Sequence, residues 1–221
     1  KRPSIGGKDS MSGTFGSLNV PPMLMAFGIT TVDAGRVISP EFKQAGDYVY
    51  MVRHTPLHNH MPDCEQLRRI FTYVSEAIAD GRIKAAYAVG FGGVGEALAK
   101  MAFGNRIGVE GEIAESTLFD YSYGSIVVES RERLDYDAAE LLGMTIADDA
   151  LRINGESMSL EELRRANTER FTTVYPDKGC NHAPMKVDTQ HKARMAEYKG
   201  AAVEHPVAYL PVFPGTNCDL S

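Results

Sequence analysis

Glycines crowd a segment between a strand-like and a helix-like stretch, and their spacing is that of a dinucleotide-binding turn. The segment reads G-x-G-x-x-G over residues 90–95. Glu110 and Glu112 follow after about 20 residues, the distance at which an acid binds a ribose hydroxyl in such folds. Glycines allow the backbone to approach a phosphate closely. The candidate cofactor-binding residues in this segment are Gly90, Gly92 and Gly93.

Two interpretations of this segment remain open. In the first, Gly90, Gly92 and Gly95 bind the pyrophosphate of a dinucleotide. In the second, the glycines form a tight strand-to-helix turn that binds no nucleotide. The helix that follows is short, and no further strand–helix repeat flanks it. The second interpretation is therefore favoured.

A glycine-rich loop near the start of the sequence offers a different anion site. Its residues 5–10 read I-G-G-K-D-S. A Walker A loop requires Gly five residues before its second Gly, and Ser or Thr after Lys. Those positions hold Arg2 and Asp9, which excludes a P-loop NTPase. Backbone amides and an ammonium can still bind an anion, so Lys8, Asp9 and Ser10 stay candidates, with a plain flexible loop as the alternative.

Histidines at positions 54, 58 and 60 form an H-x₃-H-x-H pattern, with Asp63 and Cys64 close behind. This density of ligand types permits a metal site. A loop has no fixed face, however, and no second cluster matches it in the sequence. Solvated histidines are favoured over metal ligands, and we predict no metal-ligating residue.

Cys180 and His182 have the order of a thiol–imidazole pair. The members of such a dyad meet in the folded protein, so adjacency in sequence is weak support for one. No G-x-S-x-G or H-E-x-x-H motif is present. We predict no catalytic residue in this chain.

The elements that must position these residues alternate irregularly along the chain. Apolar runs with β-branched residues or strict alternation predict strands, and recurrence at three- and four-residue spacing predicts helices. The predicted strands are 23–32, 47–54, 85–89, 107–113 and 124–130, with a closing strand pair at 144–148 and 151–155. The predicted helices are 62–80, 94–103, 137–143 and 159–167, the last with a capping box of Ser159 and Glu162. This order favours an α+β fold, with a mixed or antiparallel sheet and helices packed on it, over a doubly wound sheet.

Composition and charge restrict the class of protein. The 221 residues are 43% hydrophobic and 24% charged, and 23 basic against 29 acidic side chains give a net charge of −6. These values exclude collagen, long coiled coils and wholesale disorder, and they argue against nucleic acid and anionic membranes as partners. Three cysteines are too few for a disulfide framework and indicate a reducing compartment, so we expect a cytoplasmic protein. No apolar run in the sequence reaches the ~20 residues of a transmembrane helix.

Composition also divides the chain into parts. They are a Gly/Ser-rich junction loop (1–17), an α+β domain (18–170), a linker rich in Pro, His and Lys (171–206) and the truncated first strand and loop of a further domain (207–221). The sequence begins without Met, and its last strand leads into a loop that ordinarily precedes a helix. We therefore expect a fragment of a longer protein.

Three motifs, in order, resemble one enzyme family. They are G-K-D-S-M-S at 7–12, L-F-D-Y-S-Y-G-S-I-V-V-E at 118–129 and V-A-Y-L-P-V-F-P-G-T-N-C-D at 207–219. Each is similar to a segment of phosphoribosylformylglycinamidine synthase, the large glutamine-dependent enzyme of purine biosynthesis. The resemblance implies the C-terminal domain of that enzyme's second aminoimidazole-ribonucleotide-synthetase-like half, followed by the start of its glutaminase domain.

The resemblance implies an ATP-dependent carbon–nitrogen ligase. Its reaction converts formylglycinamide ribonucleotide, ATP and glutamine to formylglycinamidine ribonucleotide, ADP, phosphate and glutamate. ATP and Mg²⁺ are the implied cofactors of the parent enzyme, and the implied partners are the parent chain's synthetase and glutaminase domains. We expect the isolated chain to be inactive, because it lacks the ATP-binding partner domains and the glutaminase nucleophile, which Cys218 is not.

The glycine turn departs from the pattern H-D-x-S-D-G-G-L of the family it resembles. Ala88 stands in place of the metal-binding Asp, Gly90 in place of the nucleotide-contacting Ser and Phe91 in place of the second Asp. Tyr121 stands in place of the acid in the family's L-F-x-E segment. Alanine cannot bind Mg²⁺, which needs oxygen ligands. We expect the auxiliary Mg²⁺–nucleotide site to be absent or remodelled, and a purely structural domain is the alternative function.

Overall fold

The protein is described by a computed structural model over residues 13–20, 26–170, 172 and 204. Contacts divide the chain into two compact units, the first made of Lys1–Thr30 with His182–Ser221 and the second of Thr31–Asn181. The second unit holds the glycine turn. The predicted linker and the predicted strand at 207–221 lie outside the described residues, apart from residues 172 and 204.

The described part of the first unit contains a short antiparallel hairpin. Its strands are β1 (Gly13–Phe15) and β2 (Leu18–Val20), and Gly16 has a positive φ in the turn between them. Residues 13–15 therefore form a strand where the sequence predicts a loop.

A seven-stranded sheet forms the centre of the second unit. Its strands are β3 (Tyr48–Val52), β4 (Ile83–Ala88), β5 (Gly108–Gly111), β6 (Ile126–Ser130), β7 (Ala139–Ile146), β8 (Ala150–Ile153) and β9 (Glu156–Ser159). Their order across the sheet is β4-β6-β3-β7-β5-β8-β9. Neighbouring strands are antiparallel except β5 and β8, which are parallel. This mixed sheet confirms the predicted α+β fold.

Helices cover both faces of the sheet. They are α1 (Cys64–Ala79), α2 (Gly93–Phe103), α3 (Glu115–Leu118) and α4 (Leu160–Glu169), preceded by a 3₁₀ turn at Ala34–Arg36. None of the helices in the described ranges is long and apolar enough to span a membrane. Helices α1, α2 and α4 lie where the sequence predicts them.

Strand alternation divides the core into two clusters. On β3, Val49 and Met51 point to a cluster that contains residues of α2 and α4, whereas Tyr50 and Val52 point to a cluster that contains residues of α1. Successive side chains of a strand point to opposite faces of a sheet, which explains this division. The sheet thus carries α2 and α4 on one face and α1 on the other.

Helix α1 begins and ends where its sequence dictates. The Asp63 carboxylate accepts hydrogen bonds from the N–H groups of Glu65 and Gln66, both at 3.0 Å, and so caps the first turn. The helix ends before Gly81, whose φ is +76°. Asp63 is therefore the N-terminal cap of α1.

The structure differs from the sequence prediction at residues 137–143. This segment is rich in helix-forming residues, yet β7 begins at Ala139 and runs between β3 and β5 in the middle of the sheet. Pairing on both sides satisfies the backbone of β7, and this tertiary context overrides local propensity.

Three other predictions need correction. Residues 26–32, the described part of the predicted buried strand 23–32, are exposed and form no strand. Strands β7 and β8 do not pair with each other, because both pair with β5. Ser159 is the N-cap residue of α4, but its side chain makes no capping hydrogen bond.

Candidate functional site

The glycine turn joins β4 to α2, as the sequence predicts. The N–H of Val89 donates to the carbonyl of Ser125 at 2.9 Å, which fixes the start of the turn to the segment before β6. The N–H of Gly93 donates to the carbonyl of Gly90 at 3.1 Å and closes the turn. The structure therefore brings the three predicted glycines, Gly90, Gly92 and Gly93, together at one end of the sheet.

Gly93 occupies a position that no other residue fits without strain. Its φ is +68°, a left-handed conformation that costs an L-residue about 1–2 kcal/mol. A Cβ at this position would lie 2.7 Å from the carbonyl oxygen of Leu118 and 2.9 Å from the Cα of Phe119. The start of α2 thus packs directly on the backbone of the α3–β6 connection. This packing explains why position 93 requires glycine, without any role for a ligand.

A carboxylate from α2 itself binds the turn. Oε2 of Glu96 accepts a hydrogen bond from the N–H of Gly92 at 2.8 Å, and Oε1 of Glu96 lies 2.5 Å from Nζ of Lys100. The hydrogen bond from Lys100, followed by that from Gly92, lowers the pKa of Glu96 below its usual value. Glu96 in turn raises the pKa of Lys100.

This carboxylate binds one of the N–H groups that an anion would use. Unpaired N–H groups and the helix dipole make the N-terminus of a helix attractive to phosphate. At the N-terminus of α2, the Gly92 N–H is bound by Glu96, whose negative charge also repels a second anion. A Cβ at position 92 would lie 2.5 Å from the Cβ of Glu96, so the side chain lies directly against the turn.

The sheet order contradicts a dinucleotide-binding fold. That fold places the strand before the glycine turn beside the parallel strand that follows the helix. Here β4 has β6 as its neighbour, and β6, β3 and β7 separate it from β5. Glu110 lies on β5 and pairs with Met144 and Arg152. The proposed combination of Gly90, Gly92 and Gly95 with a ribose-binding acid is wrong.

The residues of the turn also do not fit a Mg²⁺–nucleotide complex. Ala88 is exposed at the end of β4 and offers no oxygen ligand, and Phe91 presents an exposed ring in place of a carboxylate. Within the described ranges, no group of three or more His, Cys, Asp or Glu side chains is arranged to hold a metal ion.

Exposed aromatic rings line the turn instead. The rings of Phe91 and Tyr121 stack with centroids 5.1 Å apart and an angle of 11° between their planes, and Tyr123 lies 6.3 Å beyond Tyr121. Phe119 is exposed on the same connection between α3 and β6. We call these four residues, Phe91, Phe119, Tyr121 and Tyr123, the aromatic patch. Sequence reasoning missed it, although aromatic residues recur at positions 119, 121 and 123.

His54 lies behind this patch as a buried structural residue. Its Nδ1 is 2.7 Å from the carbonyl oxygen of Tyr123, and its Nε2 accepts a hydrogen bond from the N–H of Asp63 at 3.1 Å. A carbonyl only accepts and an N–H only donates, so the ring is neutral with its proton on Nδ1. His54 therefore joins the patch to the start of α1, whereas His58 and His60 are exposed.

Several predicted residues lie outside the described residues. They are Lys8, Asp9 and Ser10 of the anion-binding loop and Cys180 and His182 of the thiol–imidazole pair. Their assignments stay predictions. The thiol of Cys64 is free and exposed at the start of α1.

The fold is similar to that of solved proteins from Thermotoga maritima. PurLQS matches with a TM-score of 0.53 and 12% identity, covering 71% of this chain and 31% of that chain. Phosphoribosylformylglycinamidine synthase II matches with a TM-score of 0.52 and 12% identity over the same shares. PurL complexed with ATP gives a TM-score of 0.51 at 12% identity, covering 60% and 28%. PurL has also been solved in complex with FGAR.

These similarities concern the fold. The chain spans about three tenths of the length of the proteins that it matches. No family model matches the sequence.

Proposed function

We propose that this chain is part of a phosphoribosylformylglycinamidine synthase, an ATP-dependent carbon–nitrogen ligase with glutamine as nitrogen donor. The observation that carries the proposal is the similarity of its fold to PurL. Independent support comes from the three ordered motifs at 7–12, 118–129 and 207–219, which resemble the same family. PurL has been solved with FGAR and with ATP, the substrates that the proposed reaction uses.

Within that ligase, the chain serves as the C-terminal domain of an aminoimidazole-ribonucleotide-synthetase-like half of the large, glutaminase-fused type. Its partners are the synthetase and glutaminase domains of the same polypeptide. ATP and Mg²⁺ act in the parent enzyme, which we expect in the cytoplasm. Residues 207–221 begin the glutaminase domain, and the chain alone is inactive.

A second proposal concerns the role of this domain, which we infer to be structural. Its support is the Glu96 carboxylate on the N–H of Gly92, in the place that a phosphate would need. Ala88 stands where the family resemblance implies a metal-binding Asp, and Phe91 stands where it implies a second Asp. The domain contributes packing surface to the ligase, and no nucleotide binds at its glycine turn.

An activity assay tests the first proposal. The full-length product of the gene that encodes this sequence is incubated with formylglycinamide ribonucleotide, ATP and glutamine, and ADP release is measured. We expect ADP release that requires the ribonucleotide and that ammonia supports in place of glutamine. Absence of ribonucleotide-dependent ADP release from a folded full-length protein would refute the ligase assignment.

The 221-residue chain is the matched control in that assay. We expect no turnover from it, because it lacks the domains that bind the substrates. Turnover by the chain alone would show that the proposed division of roles is wrong, even with the ligase activity intact.

A further inference from the structure

Each residue of the aromatic patch is more than half exposed to solvent. Phe91 is 75% exposed, Phe119 63%, Tyr123 59% and Tyr121 53%. Single exposed apolar residues are ordinary, but a contiguous group marks a site of interaction. Aromatic residues are also enriched at the centres of protein interfaces, where they bury a large area with few rotatable bonds.

The charge around the patch selects the kind of partner. Residues 107–130, which include three of the four rings, contain no Lys or Arg. The exposed acids nearest the rings in the sequence are Glu115 of α3 and Asp120, which lies between Phe119 and Tyr121. A polyanion would be repelled here, so stacking of nucleic acid bases on the rings is disfavoured.

The two cations that belong to or contact α2 and α3, Lys100 and Arg53, are already paired. Lys100 of α2 is bound to Glu96, and Arg53, which donates to Oγ1 of Thr117 in α3, is bound to Glu140 at 2.7 Å. Neither is free to bind the phosphate of a nucleotide. An apolar protein surface with Lys or Arg at its edge complements both the rings and the acids.

The backbone of the patch contacts other parts of the domain at two places. The carbonyl of Tyr123 is bound by His54, and the backbone at Leu118 and Phe119 packs on Gly93. A surface whose backbone is already fixed loses little conformational entropy on binding. These contacts hold the loop in the conformation that leaves the four rings exposed to solvent.

We propose that the aromatic patch is the docking surface for another domain of the same polypeptide, one that presents an apolar centre edged by Lys or Arg. This inference rests on the proposed function, which joins the chain to further domains. In the solved proteins of similar fold, the matched part makes up about three tenths of the chain. Such folds therefore occur joined to further polypeptide. The patch supplies the apolar core of the contact, and the acids around α3 supply its charged rim.

Hydroxyl-radical footprinting tests the surface directly. Oxidation rates of Phe91, Tyr121 and Tyr123 are compared between the 221-residue chain and the full-length gene product, without nucleotide. We expect several-fold slower oxidation of all three rings in the full-length protein. Phe71 is the matched control, since it is exposed on α1, outside the patch, and its rate should stay the same.

A photo-crosslink identifies the occupant. Tyr121 is replaced by p-benzoylphenylalanine in the full-length protein, and the linked peptide is sequenced. We expect a peptide of the same polypeptide, from outside the 221 residues, with Lys or Arg beside apolar residues. A link to a second copy of this surface, or ring protection that appears only on adding ADP·Mg²⁺, would overturn the inference.

The outcomes also separate the two proposals. Equal oxidation of the rings in both proteins, in a full-length protein that has the ligase activity, refutes the docking surface alone. A gene product that contains no domain beyond this chain refutes the proposed function, and the docking surface with it.

Discussion

Two glutamates of this domain hold turns by the same chemistry in opposite surroundings. Glu129 on β6 is fully buried, and its carboxylate accepts hydrogen bonds from the N–H groups of Lys43 at 2.8 Å and Gln44 at 3.1 Å. Glu96 on α2 is partly exposed, and its carboxylate accepts from the N–H of Gly92. Both carboxylates satisfy backbone donors that have no partner in a helix or strand.

Their pKa values shift in opposite directions. Burial raises the pKa of Glu129, although the hydrogen bonds from Lys43 and Gln44 lower it, and Asp47 adds to the rise. The hydrogen bond from Lys100 lowers the pKa of Glu96, with the Gly92 N–H as the second cause. A hydrogen bond from a backbone N–H to the carboxylate thus occurs with a raised pKa in one case and a lowered pKa in the other. The balance between desolvation and a paired cation decides the direction of the shift.

The two carboxylates differ in whether solvent can reach the backbone donors that they bind. Glu129 lies where no ligand can reach, so its role is to anchor the segment that leads into β3. Glu96 lies at a helix N-terminus on the surface, where an anion from solvent could otherwise bind. At Gly92, a carboxylate of the protein itself therefore binds a backbone N–H that a ligand could otherwise bind.

Removal of the buried carboxylate gives the largest expected effect. Glu129→Ala leaves the N–H groups of Lys43 and Gln44 without an acceptor in the protein interior, and we expect the free energy of unfolding to fall by about 3–5 kcal/mol. Urea denaturation measures it. Glu132→Ala is the control, because Glu132 is exposed and lies just beyond the end of β6, and it should change stability by less than about 0.5 kcal/mol. A similar small loss for both variants would contradict the anchoring role.

Gly93→Ala should give the second-largest loss of stability. This variant tests the backbone of the glycine turn and leaves the Glu96 carboxylate unchanged. The left-handed φ and the contact with the Leu118 carbonyl predict a loss of about 2–3 kcal/mol in the free energy of unfolding. Gly95→Ala is the matched control in the same helix. Its Cβ would lie at an ordinary 3.5 Å from the same carbonyl, and helix propensity favours Ala by up to about 1 kcal/mol. Equal destabilisation by the two substitutions would show that the turn does not have the geometry described here.

Glu96→Gln should have a smaller effect. It keeps the length of the side chain but removes the charge that faces Lys100 and the helix N-terminus, and we expect a loss of about 1 kcal/mol at pH 7. Thermal or urea denaturation measures it. Added stability in the variant would mean that Glu96 is strained at this position and does not cap the helix.

The pH dependence should distinguish the two glutamates by sign. The pKa of Glu96 is lowered in the folded protein, so its contribution is present above the unfolded value of about 4.5 and is lost as pH falls through the folded pKa. The stability difference between wild type and Glu96→Gln should therefore shrink on acidification below pH 4.5. This measurement requires denaturation curves at several pH values.

Glu129 should show the reverse trend. The pKa of Glu129 is raised in the folded protein. Its contribution to the free energy of unfolding is therefore fully present at and below about pH 4.5 and is lost as pH rises through the folded pKa. The advantage of wild type over Glu129→Gln should decrease as pH is raised above 4.5. Parallel pH trends for the two variants would disprove the contrast between the two sites.

The sequence is sufficient to predict those helices and strands that are determined by residues close together in the chain. The periodicity of Ile70, Val74 and Ala77, together with Asp63 and Gly81 at the ends, is sufficient to predict α1. Strand β7 could not be predicted in this way. Its Leu141 pairs with Tyr50, far away in the sequence, and only that pairing decides between strand and helix.

The site shows the same limit. The glycine turn is visible in the sequence, and Glu96 lies only four residues after Gly92, so a local capping contact could have been proposed. The neutral tautomer of His54 depends on Tyr123 and Asp63, which reach it from two different loops. The stacking of Phe91 on Tyr121 likewise joins two separate connections. Contacts of this kind follow from strand order, which the sequence leaves open.

The amide of Gly92 provides the most direct test of the central claim that Glu96 takes the place of a bound phosphate. Its ¹H–¹⁵N resonance is followed by NMR during a pH titration and, separately, during addition of ADP·Mg²⁺ at pH 7. We expect the amide shift to follow the titration of Glu96, with a midpoint below 4.5, and to stay unchanged with ADP·Mg²⁺. A saturable change with ADP·Mg²⁺, absent in Gly93→Ala, would show that the turn binds a nucleotide and would contradict the claim.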